Sequence, residues 1–177
     1  MNSASFFNHI PRDKNGYLLI SAHRKYSYDE QLYDQQYGIS PYDFVAGEGL
    51  FNLAKRLGLN LDHPVLELGC GTGRLSVGML KAFDPDKLLI TDASSIFLDL
   101  SRRKFQESNL AMPHLGVLQF EDIGLLPDEA FSMIVIRSAL HHIDKYEDFL
   151  IAASKKLVKG GRWFSRRCFM KGCLFLA

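Results

Sequence analysis

The sequence predicts an α/β fold, a mostly parallel sheet sandwiched between two layers of helices. Three observations carry that reading. Short apolar runs, Val65 to Leu68, Lys87 to Asp92, Leu115 to Phe120 and Phe131 to Arg137, recur at the length of buried strands. Longer segments between them space their apolar residues as helices do. The first run is followed by glycines at alternate positions, Gly69, Gly71 and Gly73, and then by a helical pattern starting at Arg74. That is the strand, turn and helix unit with which nucleotide-binding α/β proteins begin. Glycine is needed there because the backbone must take positive φ or let a ligand lie against it. The helix that follows offers unpaired N–H groups to the same ligand.

Composition narrows the classes. A chain of 177 residues makes one domain the default, and 47% apolar with 23% charged residues is a globular composition. A formal net charge of +1 provides no global field for a polyanion, so no nucleic-acid partner is expected. The cysteines are Cys70, Cys168 and Cys173, an odd set with no disulfide framework and no zinc-ligand spacing. The first sixteen residues lack the basic and apolar regions of a signal peptide. No stretch approaches the ~20 apolar residues of a membrane span. The expectation is a cytoplasmic protein with no membrane partner and no metal.

The elements follow in order. Residues 2 to 21, with Pro11 and Gly16, read as an irregular lead-in. Tyrosines are dense from Tyr26 through Tyr28, Tyr33 and Tyr37 to Tyr42; they either pack the early helices or line a pocket, and one or two are expected to face it. Asp29 caps a short helix through Gln36, ended by Gly38 and Pro41. Asp43 precedes a second helical pattern, Phe44, Leu50, Phe51, Leu53, Ala54 and Leu57, that stops at Gly58. After the glycines, a helix runs from Arg74 to Phe83, and Asp84-Pro85-Asp86 turns into the second strand. Ser95 to Glu107 forms an amphipathic helix with Ile96, Phe97, Leu100 and Phe105 inward and Arg102, Arg103 and Lys104 on a solvated face. A last helix runs from Asp144 through Leu157 with Phe149, Leu150 and Ala153 inward, carries Lys155 and Lys156 at its C-terminus, and is stopped by Gly160-Gly161.

The glycine run narrows the ligand. A dinucleotide fingerprint requires G-x-G-x-x-G, and the third glycine position falls on Ser76 or Arg74. Glu67-x-Gly69-x-Gly71-x-Gly73 instead resembles motif I of the class I S-adenosylmethionine-dependent methyltransferases. The resemblance runs from about Phe44 to Phe164. It implies a Rossmann-like three-layer sandwich with five strands here, in the order 3-2-1-4-5. Residues 165–177 are too few for the usual further helix and two strands, and they carry basic, apolar and cysteine residues in no clear period. The chain divides accordingly into a lead-in with a lid helix (1–42), a cofactor-binding core (43–164) and an atypical tail (165–177). An open edge on the fifth strand is expected to favour self-association.

The resemblance also implies the site. Glu67, Gly69, Cys70, Gly71 and Gly73 lie around the methionine part of the cofactor. Asp92, with Ala93 beside it, meets the ribose; the separation of about twenty residues from the glycines suits that role independently, the competing role being a helix cap. Asp122 accepts from the adenine amine and the Ile123 N–H meets a ring nitrogen, with Glu121 as the competing acid. Arg137, at the end of the fourth strand, is a further cofactor group. The strand there lacks the family's early aspartate and carries Ser132-Met133. His141 or His142 is the candidate base, since imidazole titrates near neutrality; shaping the turn is the competing role. The function implied is methyl transfer from S-adenosyl-L-methionine to an O, N or C atom of a small molecule. The alternative is a truncated homologue, catalytically impaired, that binds the cofactor or serves as an interaction module. A nicotinamide oxidoreductase is disfavoured by the glycine spacing.

Overall fold

The structure, a computed structural model, describes residues 7–25, 29–36 and 38–166. Its strands are β1 (Leu18–Leu19), β2 (Val65–Leu68), β3 (Leu88–Asp92), β4 (His114–Val117), β5 (Phe131–Arg137) and β6 (Leu157–Arg166). They form one sheet in the order β1-β4-β3-β2-β5-β6, with every neighbouring pair parallel. Without β1 this is the expected order of five strands. The correction is β1 itself, which makes six. Leu18 and Leu19 pair with Gly116 and Val117 inside the stretch read as irregular. Two residues are too few to show a period, and Pro11 and Gly16 dominated the local signal.

The helices are α1 (Glu30–Gln36), α2 (Pro41–Arg56), α3 (Arg74–Ala82), α4 (Ser95–Glu107) and α5 (Tyr146–Lys156). Alternate strand residues point to opposite faces. Val65, Ile90, Met133 and Val135 meet Ala54 of α2, Val77 and Met79 of α3 and Phe105 of α4 on one face. Leu66, Leu89, Ile134 and Ile136 meet Phe149 and Ala153 of α5, with Ile123, on the other. Each such side chain contributes about 1.5–3 kcal/mol when fully buried.

Helix α2 starts earlier than its apolar pattern. Ser40 precedes it, Pro41 takes the first helical position rather than ending the previous helix, and the Ser40 N–H donates to Asp43 Oδ2 at 2.8 Å. The helix then crosses α3 at backbone contact. A Cβ added at Gly47 would lie 2.0 Å from the carbonyl carbon of Gly78, and one added at Gly78 would lie 2.1 Å from the Asp43 carbonyl oxygen. Only glycine permits that approach, and it carries Asp43 to the start of α3.

Helix α4 keeps its predicted limits, with Ser94 Oγ accepting from Ile96 and Phe97 N–H. Phe97, Leu100 and Phe105 are buried, but Ile96 is 40% exposed. The basic run is a solvated face only at Arg103. Arg102 stacks on the Tyr17 ring, 4.1 Å from its centre, and donates to the Asn15 carbonyl. Lys104 pairs with Asp34 and donates to the Thr72 carbonyl at 2.9 Å. The lead-in and α1 fold back over α4, a contact no local pattern announces.

Strand β4 is shorter than predicted, and a 3₁₀ turn, Phe120–Leu125, follows it. Leu157 is already the first residue of β6, paired with Phe131, and residues 158–161 bulge out before Arg162 pairs with Met133. Gly160-Gly161 therefore lies within a strand instead of stopping a helix. Lys156 is buried, with Nζ donating to the Gly124 carbonyl at 3.0 Å and to Asp128 Oδ1 at 2.7 Å, so α5 holds the turn after β4. Among the described residues β6 pairs with β5 alone. Cys168 and Cys173, with most of the predicted tail, lie outside the described residues. Among the described residues no helix is long and apolar enough to cross a membrane, and no cluster of metal-ligating side chains occurs.

Candidate functional site

The glycine loop lies at the carboxyl end of β2, with Gly69, Gly71 and Gly73 at φ of 68°, 54° and 76°. Two of these glycines answer to protein packing. A Cβ on Gly69 would lie 2.9 Å from the Ala139 Cβ, and one on Gly73 would lie 2.8 Å from Ser101 Oγ. Gly71 differs: a Cβ there would meet nothing within 4 Å, so the loop opens at this residue.

Asp92, the last residue of β3, is tied to that opening. Its Oδ2 accepts from the Gly71 N–H and its Oδ1 from the Ser94 N–H, both at 2.9 Å. Burial raises its pKa to about 6. Two bonds leave a carboxylate with lone pairs to spare. The cap of α4 belongs to Ser94, not to Asp92. Ala93 gives its carbonyl to the Arg24 N–H at 2.8 Å, so the lead-in passes over the loop here.

Glu67 takes a different position. It is 2% exposed, its Oε2 accepts from Ser76 Oγ at 2.7 Å, and burial pushes its pKa up to about 7. It binds the first turn of α3 to the end of β2. Cys70 donates its N–H to the Thr91 carbonyl at 2.9 Å, and burial, with Asp92 and Glu67 nearby, raises the thiol pKa. Thr72 between the last two glycines has a buried Oγ1 with no hydrogen-bond partner among the described residues. Such an orphan calls for a missing partner.

On the far side of Asp92, Asp122 is half-buried in the 3₁₀ turn and Ile123 is packed in the core. Glu121 is exposed and 3.9 Å from Arg24. At the end of β5, Arg137 donates from NH1 to Asp43 Oδ1 at 2.8 Å, while Arg74 Nε donates to Asp43 Oδ2 at 3.2 Å. Asp43 is fully buried; burial opposes its charge, but the bonds from Ser40 and Arg137 prevail and hold its carboxyl below the usual range. Ser138 follows at φ 57°, a left-handed conformation that is uncommon outside glycine. His141 and His142 stand exposed on the 3₁₀ turn Leu140–His142, ring centres 4.0 Å apart. Burial, then His141 and Arg24, lowers the His142 pKa. Of the tyrosines, Tyr33 packs edge-on to Phe97 at 5.7 Å and Tyr42 is 80% exposed; Tyr26, Tyr28 and Tyr37 lie outside the described residues.

Gly71 and Asp92 thus come together at one opening, with Thr72 buried next to them in the chain, whereas Arg137 joins Asp43 and the histidines stand on the surface beyond β5. Sequence reasoning missed the Asp43 hub, which it had treated as the residue before a helix, and it missed Glu30. Glu30 is 8% exposed and accepts from Ser94 Oγ at 2.8 Å, closing α1 against the Asp92 end of the loop. Thr72 was legible within the motif but was not singled out.

The model of a methyltransferase domain family matches residues 65–161, more than half of the chain, from the start of β2 into β6. The chain belongs to the class I S-adenosylmethionine-dependent methyltransferase family. Over 116 residues it is 33% identical to the ribosomal RNA small subunit methyltransferase C of Actinobacillus pleuropneumoniae serotype 5b, covering 63% of this chain and 33% of that protein. The methyltransferase chain thus spans a third of the length of the curated relatives it matches. In fold it resembles an S-adenosylmethionine-dependent methyltransferase from Clostridium acetobutylicum, with a TM-score of 0.60 at 20% identity over 77% of this chain and 55% of that one. A second methyltransferase structure, from Methanococcus maripaludis, gives a TM-score of 0.63 at 18% identity over 83% and 67% of the two chains. Those identities speak for the fold alone.

Proposed function

We propose that the chain binds S-adenosylmethionine at the glycine loop and transfers its methyl group to a small molecule. The supporting observation is the opening at Gly71 beside the Asp92 carboxylate, which accepts from the Gly71 N–H, together with the buried Thr72 hydroxyl one residue on, which has no partner among the described residues. The donor set suits this cofactor: a hydroxyl for the methionine carboxylate, a carboxylate with free lone pairs for two ribose hydroxyls, and a half-buried Asp122 beside the Ile123 N–H for the adenine. When bound, the cofactor supplies an electrophilic sulfonium methyl group.

The chain's own residues then align and shield. Gly71 leaves room, Asp92 fixes the ribose, and Lys156 holds the turn that carries Asp122 and Ile123. Glu67 acts through Ser76, fixing where α3 begins. Where the acceptor must lose a proton, His142 is suited to take it, because its lowered pKa keeps it neutral at pH 7; His141 is the alternative. The remainder is proximity and orientation.

Filter binding with methyl-labelled S-adenosylmethionine tests this reading. One saturable site is expected, and Thr72→Val should weaken it about tenfold. A folded protein that retains no label contradicts the reading. Retention without transfer to any acceptor favours the non-catalytic alternative. A second reading, an RNA acceptor, is favoured by the curated relatives, which are ribosomal RNA methyltransferases by name. Label transferred to small-subunit ribosomal RNA rather than to a small-molecule extract decides for it. Self-association along β6 belongs to the same proposal and is read by mass measurement at several protein concentrations.

A further inference from the structure

A second cavity, which the proposed cofactor site does not use, lies between α2 and the strands β5 and β6. Its volume is about 320 Å³, and its walls include Leu50 and Leu53 of α2, Leu75 of α3, Val135 of β5 and Phe164 of β6, with Arg137 as the charged member. A mostly apolar hollow with one convergent polar group is the usual form of a small-molecule site. It lies close to the glycine loop, because its lining residue Leu75 is two residues past Gly73. It also lies toward the carboxyl ends of β5 and β6, where parallel sheets take their ligands. A larger cavity of about 430 Å³ borders the opposite strand ends, at Val65 and Leu88.

Charge specifies the occupant. Arg74 and Arg137 share the single carboxylate of Asp43, so one positive charge in that trio stays without a counter-charge. Glu67 also interacts with Arg137, but it is bonded to Ser76 and burial raises its pKa to about 7, so it offers only part of a counter-charge at neutral pH. Arg137 uses NH1 on Asp43, and among the described residues its Nε and NH2 have no hydrogen-bond partner. Arg137 is already paired through NH1, and the open Nε and NH2 edge of its planar fork fits an anionic oxygen group.

We propose that this cavity is the acceptor pocket, and that it takes a small apolar molecule bearing one anionic oxygen group, seated against Arg137. The proposal rests on the methyltransferase reading, and it moves Arg137 from the cofactor to the acceptor. Specificity then comes from two sources, the apolar walls for the body of the acceptor and Arg137 for its charge.

Calorimetry with 3-phenylpropanoate and its neutral amide tests the pocket, with S-adenosylhomocysteine titrated into the same samples. The wild-type chain should bind the acid about tenfold more tightly than the amide. Arg137→Gln should remove that preference. Gly49 lines the cavity from an exposed helical position where an added Cβ meets nothing within 4 Å. Gly49→Phe should therefore fill the cavity, lower binding of the acid at least tenfold, and leave S-adenosylhomocysteine binding unchanged. Absence of saturable binding of the acid, equal affinity for acid and amide, or indifference to Gly49→Phe overturns the proposal. Failure to bind S-adenosylhomocysteine while the acid binds as expected overturns the methyltransferase reading and leaves the anion pocket standing.

Discussion

The two ends of the site are built on different principles. Around β2 and β3 the backbone makes the site: positive φ at Gly71, the Gly71 N–H on Asp92, and the Ser94 N–H on the same carboxylate. Around β5 and β6 side chains make it: Leu50, Leu53 and Phe164 enclose a hollow, and Arg137 charges one wall. A ligand that never changes can be met by a fixed backbone corner. An acceptor that differs from enzyme to enzyme must be met by replaceable side chains. In the proposed reading the cofactor is therefore met by a short motif, and the acceptor by side chains spread over three elements.

Helix α2 links the two ends, and its glycines test the contrast. Gly47 touches the α3 backbone, whereas Gly49 faces open space. Gly47→Ala should separate the helices and cost about 2–3 kcal/mol, read as a fall in the urea midpoint. An unchanged midpoint breaks the claim that α2 is fixed by backbone contact. Next in size, Lys156→Met removes the charge that satisfies the turn after β4. A loss of about 2 kcal/mol is expected, together with weaker S-adenosylhomocysteine binding, since that turn carries Asp122. Weaker binding without any loss of stability would mean that Lys156 touches the ligand itself.

The buried acids give a smaller, pH-dependent effect. Glu67 and Asp92 have folded pKa values raised to about 7 and about 6. The folded state thus binds more protons than the unfolded state between pH 4 and 7, and stability from these groups falls as pH rises across that window. Asp43 has the opposite sign: its lowered pKa gives stability at neutral pH that is lost below pH 4. Urea midpoints should decline from pH 5 to pH 8, and Glu67→Gln should flatten the decline. A midpoint that rises over this range contradicts the assignment. The smallest effect is a gain: Gly49→Ala should add about 0.5–1 kcal/mol through helix propensity alone.

Much of this was legible in the sequence. The places of the main strands and the limits of α4 followed from apolar runs, glycines and caps, all local signals, whereas the strand order came from the family resemblance of the glycine motif. The misses share a cause. β1 is two residues long and exists because β4 offers it an edge. Arg102 and Lys104 were assigned to solvent because Tyr17 and Asp34 lie far away in sequence. The Asp43 hub joins residues 31 and 94 positions apart, and the Gly47–Gly78 crossing joins two helices whose glycines read singly as weak points. Local chemistry announces turns and motifs, while long-range pairing appears only when the chain is folded.

The most direct measurement is calorimetric titration of the folded chain with S-adenosylhomocysteine, alongside Asp92→Asn. The account predicts one site in the wild type, an affinity that rises with pH through about 6 as Asp92 ionises, and a loss of about 10- to 100-fold in the variant. Equal affinity in the two proteins at pH 7.5, with both folded, would contradict it.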